Sequence, residues 1–175
     1  MAWTIGNFYC NQSQMEGNAQ EINTYLSGKG WTQNAIAGML GNMQTESSIN
    51  PGIWQSLKEG NYSGGFGLVQ WTPATNYTDW ASANGYDNTD PEGQLIWIDT
   101  MMDVSGEWIA TSTYPMTFEE FKTSTEEVET LASVFLKNFE RAGVEKEEQR
   151  RTQARTWYDF IGENSGVYIV RFVPA

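Results

Sequence analysis

The sequence contains no histidine and a single cysteine, Cys10. The first absence removes Ser-His-Asp and Cys-His nucleophile systems, together with every zinc site built on imidazole. The second removes internal disulfides and multi-cysteine metal centres. Basic residues are also scarce, ten against twenty-two acidic ones, for a formal net charge of −12. Phosphate binding depends on Lys and Arg, so nucleic acid is not expected as a partner. No apolar run approaches the length of a membrane span, and no membrane association is expected. The opening MAWTIGNFYCNQ has neither the basic start nor the apolar stretch of a secretory signal, so none is expected. Carboxylates, hydroxyls, amides, aromatics and a few cations remain, an inventory suited to acid–base chemistry. It implies no metal and no cofactor.

Aromatic residues, in contrast, are plentiful. Eight each of Trp, Tyr and Phe bring the aromatic fraction to 14% of 175 residues, enough to fill the core of one compact domain. A surplus would also suit stacking on sugar rings.

Residues 41–72 organise the chain. Ala35, Ile36, Met39, Leu40 and Met43 recur at helical spacing. Extending the stripe from Met39 through Met43 reaches Glu46, so a carboxylate stands in line with the buried face. Asn50-Pro51-Gly52 stops the helix just beyond it. Burial and the negative end of the helix dipole both disfavour a charge there, and so favour the protonated carboxyl that a general acid needs. Gly38 and Gly41 cost helix propensity, which predicts close helix crossings on that face.

Around this element the spacing predicts a helix carrying Met15, Ala19, Ile22 and Leu26, and an N-cap at Thr32. Residues 47–67 are turn-rich and predict a small β-hairpin or sheet ending in Phe66–Trp71. Thr72-Pro73 and Asp90-Pro91 both read as helix starts. Thr117 with Glu120, and Ser124 with Glu127, read as capping boxes. The second opens an amphipathic helix through Val128, Leu131, Ala132, Phe135, Leu136 and Phe139. The charged GVEKEEQRR reads as a solvated link to a last helix, with Ala154, Trp157 and Ile161 inward. From Gly162 the pattern turns strand-like. The expected fold class is α+β, mainly α, with a domain over residues 1–163. Residues 164–175 then form an extension, or the start of a linker to a further module.

These residues resemble a known family. Glu46-Ser47-Ser48 before Asn50-Pro51, followed by Gly67-Leu68-Val69-Gln70, is similar to the lysozyme-like superfamily. GWTQNAIAGMLGNMQTESSINPGIWQ, GFGLVQWTPATNY and FLKNFERAG…ARTWY extend the likeness over roughly residues 10–161. They resemble the phage tail lysozymes, tail-knob cell-wall hydrolases of small phages of Gram-positive bacteria. The resemblance implies a lysozyme-like fold with a β-hairpin as one wall of the cleft. It implies cleavage of the glycan strands of peptidoglycan by a virion protein at the tail tip, among other tail proteins. It also implies Glu46 as catalytic acid and Gln70 as the residue that positions substrate or water. Relatives often carry a second, peptide-cleaving domain.

Most glycosidases use a second carboxylate. Glu59, in the segment between acid and strand, is the first candidate, ahead of Asp79 and of Glu140, which reads as a structural ion pair. Trp71, Thr72, Tyr62 and Asn50 are candidate substrate-binding residues beside Gln70. The expected activity is that of an N-acetylmuramidase. The rivals are a lytic transglycosylase, a wall hydrolase of a conjugation system, and a non-catalytic glycan-binding module.

Overall fold

A computed structural model of the chain describes residues 3–165. Among the described residues seven α-helices occur in order: α1 (Gln12–Gly28), α2 (Gln33–Ser47), α3 (Thr75–Ala83), α4 (Pro91–Thr100), α5 (Phe118–Thr123), α6 (Val128–Phe135) and α7 (Glu147–Ser165). A 3₁₀ turn spans Gln55–Leu57, and a π-helical segment, Leu136–Glu140, continues α6.

The arrangement is built around α2. Every residue from Ala35 to Met43 is buried, so this helix is enclosed on all sides rather than along one stripe. Its small residues make that possible. A Cβ on Gly38 would lie 3.0 Å from the Leu131 carbonyl carbon of α6, and one on Gly41 would lie 2.5 Å from the Arg150 carbonyl oxygen of α7. Both glycines therefore mark close helix crossings, as their cost to propensity predicts. Thr32 caps α2 by accepting from the Ala35 amide at 3.1 Å. The apolar positions that the periodicity selects in α1, α6 and α7 are all buried, and Asn18, Ser133, Val134 and Arg150 are buried with them. Most aromatics serve the core: Trp97, Trp108, Phe118, Phe121 and Phe135 are all buried there.

The expected β-hairpin is absent, and the described residues contain no β-strand. Residues 48–74 are coil and turn, held by two isolated antiparallel bridges, Trp54 with Phe66 and Phe66 with Trp71. The backbone explains the difference. Gly67 at φ +80° and Gln70 at φ +50° turn the chain back within four residues. Phe66 and Trp71 then exchange backbone hydrogen bonds of 3.2 and 3.0 Å with no extended run on either side to continue a ladder. The fold is helical, not α+β.

Three further expectations are corrected. Thr72 does not cap α3, which begins at Thr75. Its hydroxyl turns back to donate to the Gln70 carbonyl at 2.8 Å. Ser124 forms no capping box, because Glu127 occupies the N-cap of α6 and the Ser124 hydroxyl accepts from the Glu126 amide instead, at 3.2 Å. The strand-like pattern from Gly162 is helical through Ser165, the last described residue. The remainder of the expected C-terminal extension lies outside the described residues.

Candidate active site

Glu46 sits in the last turn of α2, and its neighbours along the chain fix that turn. Ser48 and Ile49 both take left-handed backbone conformations, at φ 49° and 54°. For a β-branched residue this is strained, and only a well-determined surrounding holds it. Ser47 supplies one tie, donating to the Met43 and Leu68 carbonyls at 3.0 and 2.6 Å. Gln94 supplies another from α4. Its Oε1 accepts from the Leu68 amide at 2.9 Å, and its Nε2 donates to the Pro51 carbonyl at 2.7 Å. The end of α2 and the turn around Leu68 are thereby one rigid unit.

The Glu46 carboxylate is 20% exposed and accepts from Arg150 Nη2 at 2.5 Å, whereas the Arg150 side chain is 2% exposed. Arg150 is spent entirely inside the protein. Its Nε donates to the Glu145 carbonyl at 2.7 Å and its Nη1 to Asn42 Oδ1 at 3.1 Å. Asn42 is in turn held by donation to the Gly38 and Ala132 carbonyls, both at 3.0 Å. The guanidinium therefore reaches Glu46 from a fixed direction, with two of its three nitrogens engaged elsewhere. Arg150 falls within the charged stretch read as solvated. The small Gly41 opposite it, and the apolar Ala154 and Trp157 that come next in helical register, are the sequence signals that it turns inward.

Glu140 closes the group. It does not pair with Arg141, whose guanidinium donates to the Glu107 and Asn138 carbonyls at 2.7 Å each. Glu140 Oε1 is instead buried without a hydrogen-bond partner, although the residue keeps some exposed surface. Burial pushes its carboxyl well above the usual carboxylate range. The charge of Glu46 adds to this, while Arg150 and Arg141 oppose it.

The other expected site residues are distributed unevenly. Glu59 lies on the exposed segment 55–63. Gln70 is half-buried, and its amide nitrogen donates to the Ile53 and Gly67 carbonyls at 3.2 and 3.1 Å. Its Oε1 occupies the space a side chain on Gly65 would need, at 2.8 Å. Trp71 is buried and stacked on Tyr77, with centroids 4.4 Å apart, so both of its faces belong to the core or its margin. Asn50 is fully buried. It donates to the Gly6 and Phe8 carbonyls and accepts from the Gly6 and Gly52 amides, which fastens the N-terminal segment. Tyr62 is exposed, edge-on to Trp54, and lines a surface concavity with Asp79, Tyr86 and Asp87. Thr72 is exposed at the end of the turn. Glu46 thus has Arg150 as its fixed partner, Asn42 behind that arginine, and Glu140 as its electrostatic neighbour.

Comparison with known proteins agrees in extent. Residues 17–161 match the family described as phage tail lysozyme. Morphogenesis protein 1 of Bacillus phage B103 is 48% identical over 168 residues, which is 95% of this chain and 46% of that protein. The chain therefore spans about half the length of the curated relative it matches. The matched span holds both residues of the Glu46–Arg150 pair, and with it the chain belongs to the phage tail lysozyme family.

Proposed function

We propose that this chain hydrolyses the β-1,4 bond between N-acetylmuramic acid and N-acetylglucosamine in peptidoglycan. As a tail-associated virion component, working among other tail proteins, it opens the wall locally so that DNA can enter. The observation that carries this reading is a partly open carboxylate, Glu46, at the end of the most enclosed helix, aimed by a buried arginine. Family membership supplies the substrate class. In this mechanism protonated Glu46 gives its proton to the glycosidic oxygen as the bond to the anomeric carbon breaks. A water molecule then adds at that carbon and returns a proton to Glu46. The turn at Gln70, tied to the end of α2 through Ser47 and Leu68, orients the sugar or the water.

A second reading, lytic transglycosylase chemistry, draws support from Glu59. It lies on an exposed loop with no described partner to fix its carboxylate opposite Glu46. In that chemistry the substrate's own hydroxyl closes a 1,6-anhydro ring and no second carboxylate is required.

A digest of Gram-positive peptidoglycan, analysed by mass spectrometry, separates these readings. Hydrolysis by the unaltered chain yields new reducing N-acetylmuramic acid ends, and Glu46→Gln yields none. Anhydro ends, lighter by one water, would replace the first reading with the second. Equal products from chain and variant would remove Glu46 from the mechanism. Glu59→Gln, digested in parallel, tests whether that carboxylate activates water. Binding without turnover by the unaltered chain would leave a glycan-binding module.

A further inference from the structure

A surface concavity of about 520 Å³ lies outside the Glu46–Arg150 group and has no task in the chemistry above. Tyr62 lines it from the segment before the Gln70 turn. Asp79 and Ser82 line it from α3, and Tyr86, Asp87 and Asn88 from the loop before α4. Its size falls within the roughly 300–1,000 Å³ of small-molecule sites.

The frame of this concavity is firm. The Tyr62 ring meets Trp54 edge-on, with centroids 5.1 Å apart, and the Tyr62 carbonyl accepts from the Ala74 amide at 3.0 Å. Tyr86 lies parallel to Trp80, with centroids 5.9 Å apart and planes within 7°. A Cβ on Gly93 would lie 2.8 Å from Tyr86 Cγ, so α4 backs that ring closely. The Asn88 carbonyl accepts from Gln94 Nε2 at 2.9 Å, and Gln94 also holds Pro51 and Leu68. One side chain thus ties the concavity to the rigid unit at the end of α2. The polar groups, in contrast, are idle. Among the described residues the side chains of Asp79, Ser82, Asp87 and Asn88 bond to nothing, whereas the buried amides of Asn18, Asn42, Asn50 and Gln94 are all committed.

These groups select a ligand by their chemistry. Tyr62, 46% exposed, offers an apolar ring with a polar tip. The two carboxylates accept hydrogen bonds, and the hydroxyl of Ser82 and the amide of Asn88 both donate and accept. No Lys or Arg lines the concavity, so phosphate and other anions find no partner there. Nor do three ligating side chains converge for a metal ion anywhere among the described residues. A ring with an apolar face, hydroxyls on its rim and an amide substituent meets every one of these groups.

We propose that the concavity is a subsite for an N-acetylhexosamine ring of the glycan strand, which holds the strand while Glu46 acts on it. Tyr62 packs on the pyranose ring, Asp79 and Asp87 accept from its hydroxyls, and Asn88 pairs with its acetamido group. The inference takes its polymer from the glycosidase reading of Glu46, but the binding itself requires no turnover.

Nitrogen-15 NMR of the unaltered chain, titrated with tri-N-acetylchitotriose, tests it. The amide signals of Tyr62, Asp79, Asp87 and Asn88 should shift along one saturating curve. Tyr62→Ala and Asp87→Ala should each weaken that binding about tenfold. Asp87 is exposed and its side chain supports no other residue, so Asp87→Ala keeps the test valid even if Tyr62→Ala fails to fold. On soluble glycan strands Asp87→Ala should raise KM about tenfold with kcat little changed. Trimer that leaves these signals still would overturn the proposal, as would Asp87→Ala binding as tightly as the unaltered chain. Lysine amide serves as the control for carboxylates that merely attract a cation, and signals that answer it but not the sugar would also overturn the proposal. Sugar binding without turnover, or turnover retained by Glu46→Gln, would sink the glycosidase reading and leave the subsite standing. Digestion of the strand with the concavity silent would sink the subsite alone.

Discussion

The crossing of α2 and α7 decides where Arg150 stands, and Gly41 is its narrowest point. A Cβ placed on Gly41 would lie 2.5 Å from the Arg150 carbonyl oxygen, 2.7 Å from the Ala154 nitrogen and 2.8 Å from the Ala154 Cβ. All three belong to the frame of α7 and none is the end of a flexible chain. Gly41→Ala must therefore separate the helices or bend one of them. In its favour, alanine in a helix interior is better than glycine by about 1 kcal/mol. Against it, overpacking of an enclosed contact costs about 1–3 kcal/mol, and rigid backbone on the far side argues for the upper end. The expected net loss is about 2 kcal/mol, or roughly 4–8 °C in Tm for a chain of this size.

Gly17 in α1 is the internal control. Nothing lies within 4 Å of its would-be Cβ, so Gly17→Ala carries the propensity gain without the clash. It should raise stability by about 0.5–1 kcal/mol. Urea denaturation of the two variants beside the unaltered chain measures both changes. Gly41→Ala should also lose wall-digesting activity beyond what its unfolded fraction explains, since the displaced backbone carries Arg150. If Gly41→Ala proved as stable as Gly17→Ala, the claim that this glycine sets the α2–α7 spacing would be wrong.

Three other outcomes are expected. Arg150→Lys keeps the charge and loses the fork that joins Asn42 to Glu46, and should cost about 3 kcal/mol by thermal melting. Activity should fall more than stability does, because Glu46 loses its fixed partner. Glu140, whose folded-state carboxyl is held well above the usual range by burial, makes the native chain bind more protons than the unfolded one between those two values. Its stabilising effect is therefore complete in acid and is lost as pH rises through the folded value. The unaltered chain should lose more urea stability than Glu140→Gln on going from about pH 5 to pH 8. An equal slope in the two proteins would refute this. Glu129 has the opposite sign. The Arg155 guanidinium hydrogen-bonds its carboxylate and holds it below the usual range, so that contribution is present above the ordinary value and fades as pH falls. Arg155→Met should remove no more than about 1 kcal/mol near neutral pH by urea denaturation, as such a surface pair allows.

Much of the helical frame is legible in the sequence, for local reasons. Met15, Ala19, Ile22 and Leu26 in α1, and Val128 to Phe139 through α6 and the π segment, repeat at a spacing that only a helix can bury on one side. The caps at Thr32, Asp90 and Thr117 act over two or three residues and need no knowledge of the rest of the chain. The expectation of a β-hairpin fails because its signals are ambiguous. Glycines at 60, 64, 65 and 67 with intervening aromatics suit a hairpin, but equally suit a coil whose aromatics plug a core. Here tertiary ties decide the outcome. Gln94 and Ser47 satisfy the Leu68 backbone groups that a neighbouring strand would otherwise have paired.

The site divides along the same line. Glu46 can be found because a carboxylate in an apolar helical stripe is a local anomaly. Arg150 is harder to find: it stands in register with Ala154 and Trp157, yet Glu-Gln-Arg-Arg at a helix start suits arginines that face water as well as ones that face protein. What distinguishes Arg150 from Arg151 is a match between two distant positions: a glycine on α2 that lets α7 approach, and an asparagine one residue later that takes the guanidinium. Neither has meaning without the other, and 108 residues separate Asn42 from Arg150. Glu140 is hidden for the same reason. Beside Arg141 it looks paired, and only the π turn, which sends the two side chains to different partners, sets it against Glu46 instead. The place of the Glu46 carboxylate is thus written locally, whereas the charged groups around it come from the packing of helices distant in sequence.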